Sequence, residues 1–263
     1  MATASHTPRM PVVFVGHGSP MNVLEKNRFS EGFAALRELV PKPRAILAIS
    51  AHWYVRGTYL TSAPHPKTIH DFSGFPKALY EIEYRSPGSV DLATRTQALL
   101  AQSELRADWG LDHGTWSVLR WMFPDADVPV VQLSIDRRLD ARGHIALAKS
   151  LSTLRDDGVL ILGSGNVTHN LGDAIDRMQS GDTSTPAWAT RFDEATKRAL
   201  LDHDERAVAA LRDSNDGPLA HPSPDHLLPL LYTFAATTKD ERVRFTSEAF
   251  DLGSISMRNV IWG

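Results

Sequence analysis

The residues able to do chemistry in this chain are its histidines. There are 11 of them and no cysteine in 263 residues. The missing thiols exclude disulfides, thiolate zinc sites, iron–sulfur clusters and cysteine nucleophiles. Any metal here is held by His, Asp or Glu. Three histidines share a setting. His17 follows the apolar run PVVFV in "PVVFVGHGSP", His52 follows AILAIS in "SAHW", and His169 follows GVLILG in "GSGNVTHN". Small residues precede each one. In open α/β sheets, sites form beyond the carboxyl ends of strands, where imidazoles distant in sequence converge. His113 in "LDHGTW" and His226 in "PSPDHLLPLLY" are two further candidates in loops or at helix starts.

Converging neutral imidazoles without thiolates suit Zn, Fe or a similar divalent ion. Three protein ligands with open positions mark a catalytic site rather than a structural one. An imidazole not used as a ligand can serve as acid or base, since its ordinary pKa is about 6.5. Gly16, Gly18, Gly163 and Gly165 flank the site candidates and permit sharp turns and close backbone approach. Other motifs are weak: there is no HExxH, P-loop or GxSxG, and "GSGNVT" ends in Thr168 where GxGxxG needs glycine. Ser19 beside His17 is a weak nucleophile candidate. His65, His70, His144, His203 and His221 read as surface or loop residues, with His70 in "IHDFSGFP" also a pocket candidate. Trp53, Trp109, Trp116 and Trp121 read as core or pocket wall.

The elements that must position these residues follow from hydrophobic pattern. Near-continuous apolar runs at 11–15, 45–50, 128–135 and 158–163 predict strands covered on both faces. Weaker strands are expected at 58–62, 104–108, 242–247 and 254–261. Helical periodicity covers 24–39, 90–102 with Ser89 as cap, 115–123, 141–155, 187–212 and 224–237, the last disturbed by Pro229. Strands alternating with helices predict an α/β fold: one three-layer sandwich, its central sheet mostly parallel or mixed and flanked by helices. Residues 1–9 read as a disordered tail and 10–263 as one catalytic domain. Long loops at 64–76, 178–186 and 213–224 read as site loops.

Composition is ordinary, at 42% hydrophobic and 22% charged with a net charge of −3. Nothing in it calls for nucleic acid or an anionic membrane as partner. No apolar run approaches the ~20 residues that cross a bilayer, and the absence of cysteine fits a cytoplasmic setting. Oligomeric state is not written in the sequence.

Six blocks in order, "FVGHGSPMNVLE", "AILAISAHW", "TIHDFSGFPKALYEIEY", "WGLDHGTWSVL", "SGNVTHNL" and "PSPDHLLPLLY", give the chain its resemblance. From about residue 10 to the end it resembles the class III extradiol ring-cleavage dioxygenases, and more closely their 4,5-DOPA extradiol branch. The resemblance implies a non-haem Fe(II) ion at the carboxyl edge of the sheet, held by His17, His52 and His226. It implies His169 as the catalytic base and a candidate fourth ligand, and His113 as a neighbouring histidine facing substrate or oxygen. Many class III enzymes use a glutamate as third ligand. The histidine here leaves the site with less negative charge, so zinc in the purified protein is also expected. The implied reaction inserts O2 beside the diol of a DOPA-like catechol to give a muconic semialdehyde. A zinc-dependent hydrolase and a Memo-like binding protein without catalysis are the competing readings.

Overall fold

The computed structural model describes residues 9–263. The expected tail falls on residues 1–8, outside the described residues, and on Arg9, whose guanidinium donates to Ser152 O at 3.0 Å. Ten strands run in chain order: β1 (Val12–Gly16), β2 (Ala45–Val55), β3 (Thr58–Thr61), β4 (Ser103–Arg106), β5 (Val130–Asp136), β6 (Val159–Gly165), β7 (Val243–Thr246), β8 (Phe250–Asp251), β9 (Ile255–Ser256) and β10 (Asn259–Trp262). Eight form one sheet in the order β4-β3-β5-β2-β6-β1-β10-β7, and β8 and β9 make a separate two-stranded ribbon. The centre is parallel: β2 pairs with β5 and β6, and β6 pairs with β1. The antiparallel pairs β3–β5, β1–β10 and β10–β7 make the sheet mixed.

The helices are α1 (Arg28–Leu39), α2 (Lys77–Tyr80), α3 (Val90–Leu99), α4 (His113–Met122), α5 (Ala141–Ala148), α6 (Leu171–Ser180), α7 (Ala187–Leu201), α8 (Glu205–Ala209), α9 (Gly217–Ala220) and α10 (Leu228–Ala235). They cover both faces of the sheet. Alternation along β1 divides the core: Val12 and Phe14 face α5 and α10, whereas Val13 and Val15 face α1 and α4. Because β2 and β6 are buried on both sides where they begin, 45–49 of β2 and 159–163 of β6 carry no polar side chain, rather than alternating. The α/β sandwich expected from the sequence is the observed fold.

Boundaries differ in instructive ways. The helix expected from residue 24 begins at Arg28, where Asn27 and Ser30 form a capping box. Ser19 caps a short 3₁₀ turn over Pro20–Val23 by accepting from Met21 N at 3.2 Å, which is a structural role for the nucleophile candidate. The helix expected over 187–212 breaks at His203, whose φ of 48° ends α7 before α8 begins. Pro229 displaces the start of α10 to Leu228, as a proline in the first turn does. No helix of the described residues is long and apolar enough to cross a membrane.

Candidate metal centre and active site

Five histidines meet at the carboxyl ends of the central strands. His17 directly follows β1. His52 lies within β2 rather than in a loop after it, because that strand continues to Val55. The pairing of β2 with β5 shifts register between Ile49 and Tyr54, and His52 sits in this irregular stretch. His113 is the first residue of α4, capped by Asp112, which accepts from Thr115 N at 3.2 Å. His169 precedes Asn170, the cap of α6. His226 lies in the turn before α10.

Glycines allow this convergence. A Cβ on Gly165 would stand 2.2 Å from His226 O, and the neighbouring Asn166 N donates to that same oxygen at 2.9 Å. The turn carrying His226 therefore closes directly onto the end of β6. A Cβ on Gly114 would lie 2.5 Å from Ser50 Oγ and 2.9 Å from the His52 ring, so α4 docks at this depth only with glycine there.

The rings pack closely. Centroids of His17 and His52 are 5.0 Å apart, those of His52 and His113 3.9 Å, and those of His226 from His17 and His52 5.2 and 5.0 Å. His169 stacks flat on His226 at 3.5 Å. One nitrogen from each of His17, His52 and His113 falls within 4.8 Å of the others, a set able to hold a metal ion.

Proton positions follow from the partners. Ser164 Oγ donates to Gly114 O at 2.6 Å, so it accepts from His17 Nδ1 at 2.9 Å. Nε2 of His17 is then a bare lone pair. His226 Nδ1 donates to the Asp225 carboxylate, which also leaves Nε2 unprotonated. His52 Nδ1 lies 3.3 Å from Asp71 Oδ2, and its Nε2 stands 3.2 Å from Nε2 of His17. With both Nδ1 atoms protonated, two lone pairs face each other across that gap. This donor set fits a divalent cation.

Asp71 also serves His113. Its Oδ1 accepts from His113 N at 2.9 Å, and its Oδ2 lies 3.0 Å from His113 Nδ1, at an angle too poor for a hydrogen bond. Burial pushes the Asp71 carboxyl up, but His113 and His52 outweigh it and draw it down to about 2. Burial and the mutual repulsion of the rings hold His17 and His226 well below the ordinary histidine range. Burial, with repulsion from His113, lowers His52 to about 3. Burial lowers His169 to about 4, so its imidazole is neutral at pH 7 and free to accept a proton.

All five rings line a cavity of about 1010 Å³. Phe72 and Phe75 form part of its wall, with Phe72 edge-on to His113 at 5.4 Å. His70, the pocket candidate, is not in that wall; its Nε2–H donates to Ile82 O at 3.0 Å. Trp116 and Trp121 are not in that wall; their indole N–H groups donate to Ile69 O and Asn22 O.

Two histidines read as surface residues are fully buried. His144 bonds Tyr232 Oη through Nδ1 at 3.0 Å and ties α5 to α10. His221 donates from Nε2 to Val167 O at 2.8 Å, behind the loop that bears His169. Burial lowers each to about 4. Asp71 and Ser164 stand within the blocks that carry the resemblance, but their pairing with His113 and His17, 42 and 147 residues away, is made only by the fold. Asp225 adjoins His226 and could have been noticed.

A mixed α/β sandwich with a buried multi-histidine centre beside a large cavity defines a metal-dependent enzyme class. The chain belongs to the family described as the catalytic LigB subunit of aromatic ring-opening dioxygenase, which it matches over residues 1–261. It is therefore an aromatic ring-opening dioxygenase by family, acting on a small aromatic molecule and O2. It is 44% identical over 258 residues to a 4,5-DOPA dioxygenase extradiol of Escherichia coli K12, covering 96% of this chain and 94% of that one. It is 37% identical over 252 residues to the Beta vulgaris protein of the same name, covering 92% of each. The crystal structure of an uncharacterized Escherichia coli K12 protein superposes with a TM-score of 0.85 at 40% identity, covering 97% of this chain and all of that one. Family membership sets aside the hydrolase and Memo-like readings.

Proposed function

We propose that residues 10–263 form one catalytic domain, a non-haem Fe(II)-dependent extradiol dioxygenase. It inserts O2 beside the diol of a DOPA-like catechol to give a muconic semialdehyde. The observation that carries this reading is the close approach of His17 Nε2 and His52 Nε2, 3.2 Å apart, inside a family of ring-opening dioxygenases. The names of the relatives support the DOPA-like substrate and the extradiol position of cleavage.

His17, His52 and His226 are the proposed ligands. Each has a partner on its outer nitrogen, in Ser164, Asp71 and Asp225 respectively, and such partners orient a ligand and raise its basicity. A ferrous ion bound there supplies a common meeting point for catecholate and O2 and a route for electrons between them. Zinc also suits three imidazoles but carries no such electrons, so a zinc-loaded sample is expected to be inert. The chain's own residues do the proton work. His169, neutral through burial, accepts a catechol hydroxyl proton on its imidazole and later returns it. As a further ligand candidate it lies against His226. Phe72 and the adjoining apolar wall exclude water from the ring to be opened.

One distance favours a second ligand set: His113, not His226, joins His17 and His52 within 4.8 Å. Metal content of three variants separates them. Under the proposed set, His226→Ala and His17→Ala lose metal while His113→Ala keeps it; the reverse for 226 and 113 overturns the assignment. The function is tested by anaerobic Fe(II) loading, then an oxygen electrode and a catechol panel watched for yellow product. No oxygen uptake with L-DOPA or any simpler catechol overturns it.

A further inference from the structure

Ring opening uses the imidazoles and the apolar wall of the cavity, yet another part of that wall is charged. Arg28, the first residue of α1, is the one lysine or arginine among the described residues that line the cavity. It is held in place: the guanidinium lies 4.6 Å from the centre of the Phe29 ring, and Nη2 donates to Phe250 O at 3.0 Å. Among the described residues it makes no ion pair within 4.0 Å. Two carboxylates, Asp251 and Glu25, line the same cavity. Asp251 follows Phe250 directly, so the carbonyl that anchors Arg28 belongs to the residue beside it. Asp251 Oδ1 accepts from Leu252 N at 3.0 Å, and the side chain makes no ion pair among the described residues either. The charges nevertheless feel each other. Burial pushes the Asp251 carboxyl up, Arg28 draws it down, and Glu25 raises it.

A cation and an anion that share a cavity wall but do not neutralise each other are matched to a ligand carrying both charges. From α6, Leu171, Ile175 and Met178 add an apolar stretch to the same wall. We propose that Arg28 and Asp251 form a subsite for the head group of a catechol α-amino acid. The guanidinium receives the carboxylate through its free N–H groups, and Asp251, helped by Glu25, receives the ammonium. This rests on the ring-cleavage reading above and deepens it. The catechol end meets the imidazoles, and the zwitterionic end fixes which catechols are selected. The sequence alone offered no carboxylate clamp, because Arg28 and Asp251 are more than two hundred residues apart.

The test compares four catechols: L-DOPA, dopamine without the carboxylate, 3,4-dihydroxyphenylpropionate without the amine, and 4-methylcatechol with neither. Arg28→Gln should lower the kcat/KM ratio of L-DOPA to dopamine by about tenfold or more, the effect of losing a charged hydrogen bond. Arg28→Lys should recover part of that ratio. Asp251→Asn should lower the ratio of L-DOPA to dihydroxyphenylpropionate similarly. Ratios that stay within about twofold of wild type, or an equal loss on all four substrates, overturn the subsite. Calorimetric binding of the same four compounds to zinc-loaded protein reads the same ratios without turnover. If wild-type enzyme opens none of them, the ring-cleavage reading fails by itself, and the calorimetric ratios still decide for or against the subsite.

Discussion

Replacing Ser164 by alanine tests whether the imidazole cluster is preset to receive a cation. The serine hydroxyl has one proton, which goes to Gly114 O at 2.6 Å. Toward His17 Nδ1, at 2.9 Å, it is therefore an acceptor. That contact keeps the His17 proton on Nδ1 and the lone pair on Nε2. Alanine leaves Nδ1–H unpaired on a residue only 2% exposed, which costs about 1–3 kcal/mol. The ring has a way out: with its proton on Nε2 it can donate to His52 Nε2, 3.2 Å away. A proton then occupies the gap meant for the metal, and binding must first expel it. Loss of such a ligand-orienting partner typically lowers metal affinity about 10–100-fold, which corresponds to about 1.4–2.8 kcal/mol. The two figures overlap. Chelator competition with Zn²⁺ as a redox-inert probe measures the affinity, and thermal melting of the metal-free forms separates it from loss of fold. Affinity within about twofold of wild type refutes the reasoning, as does a metal-free wild-type protein whose ¹⁵N spectrum shows His17 protonated on Nε2.

Three further outcomes follow from the same geometry. His169→Ala should keep its metal but lose turnover by about 100-fold or more; full activity removes it as the base. Asp71→Asn removes the negative charge that lies 3.3 Å from His52 Nδ1 and 3.0 Å from His113 Nδ1, so metal affinity should fall about tenfold by chelator competition. His144, held at about 4 by burial, makes stability depend on pH. The unfolded chain takes up a proton below about 6.5 that the folded chain refuses. Stability is thus full above that pH and declines as pH falls toward 4. At pH 5 this one residue costs about 2 kcal/mol. Urea unfolding at pH 7 and pH 5 should show that His144→Gln shrinks the loss by about that amount; an unchanged loss counts against the buried neutral imidazole.

The central strands were legible because burial on both faces leaves an unbroken apolar run, as in β2 and β6. The end of β2 was not, since the irregular stretch around His52 mixes polar and aromatic residues that read as a loop. The break at His203 turns on one backbone angle, and the polar residues around it are acceptable in a helix. His144 was misread although a clue existed: it shares the buried stripe of α5 with Ile145 and Ala148. His221 carried no such clue, because its burial depends on the packing of the turn after α9 behind the His169 loop. The five site histidines were legible from their places after apolar runs or within the blocks that carry the resemblance. The groups that set their protons, Ser164 and Asp71, are brought in by tertiary structure alone.

The five rings are drawn from five separate stretches of chain, and an unfolded polypeptide does not hold them together. Metal affinity is consequently a property of the native state only. Every tenfold excess of free ion over the dissociation constant then deepens the native basin by about 1.4 kcal/mol. The melting temperature of this protein should rise with ion concentration, and chelation should shorten its survival under heat or protease even where no substrate is present.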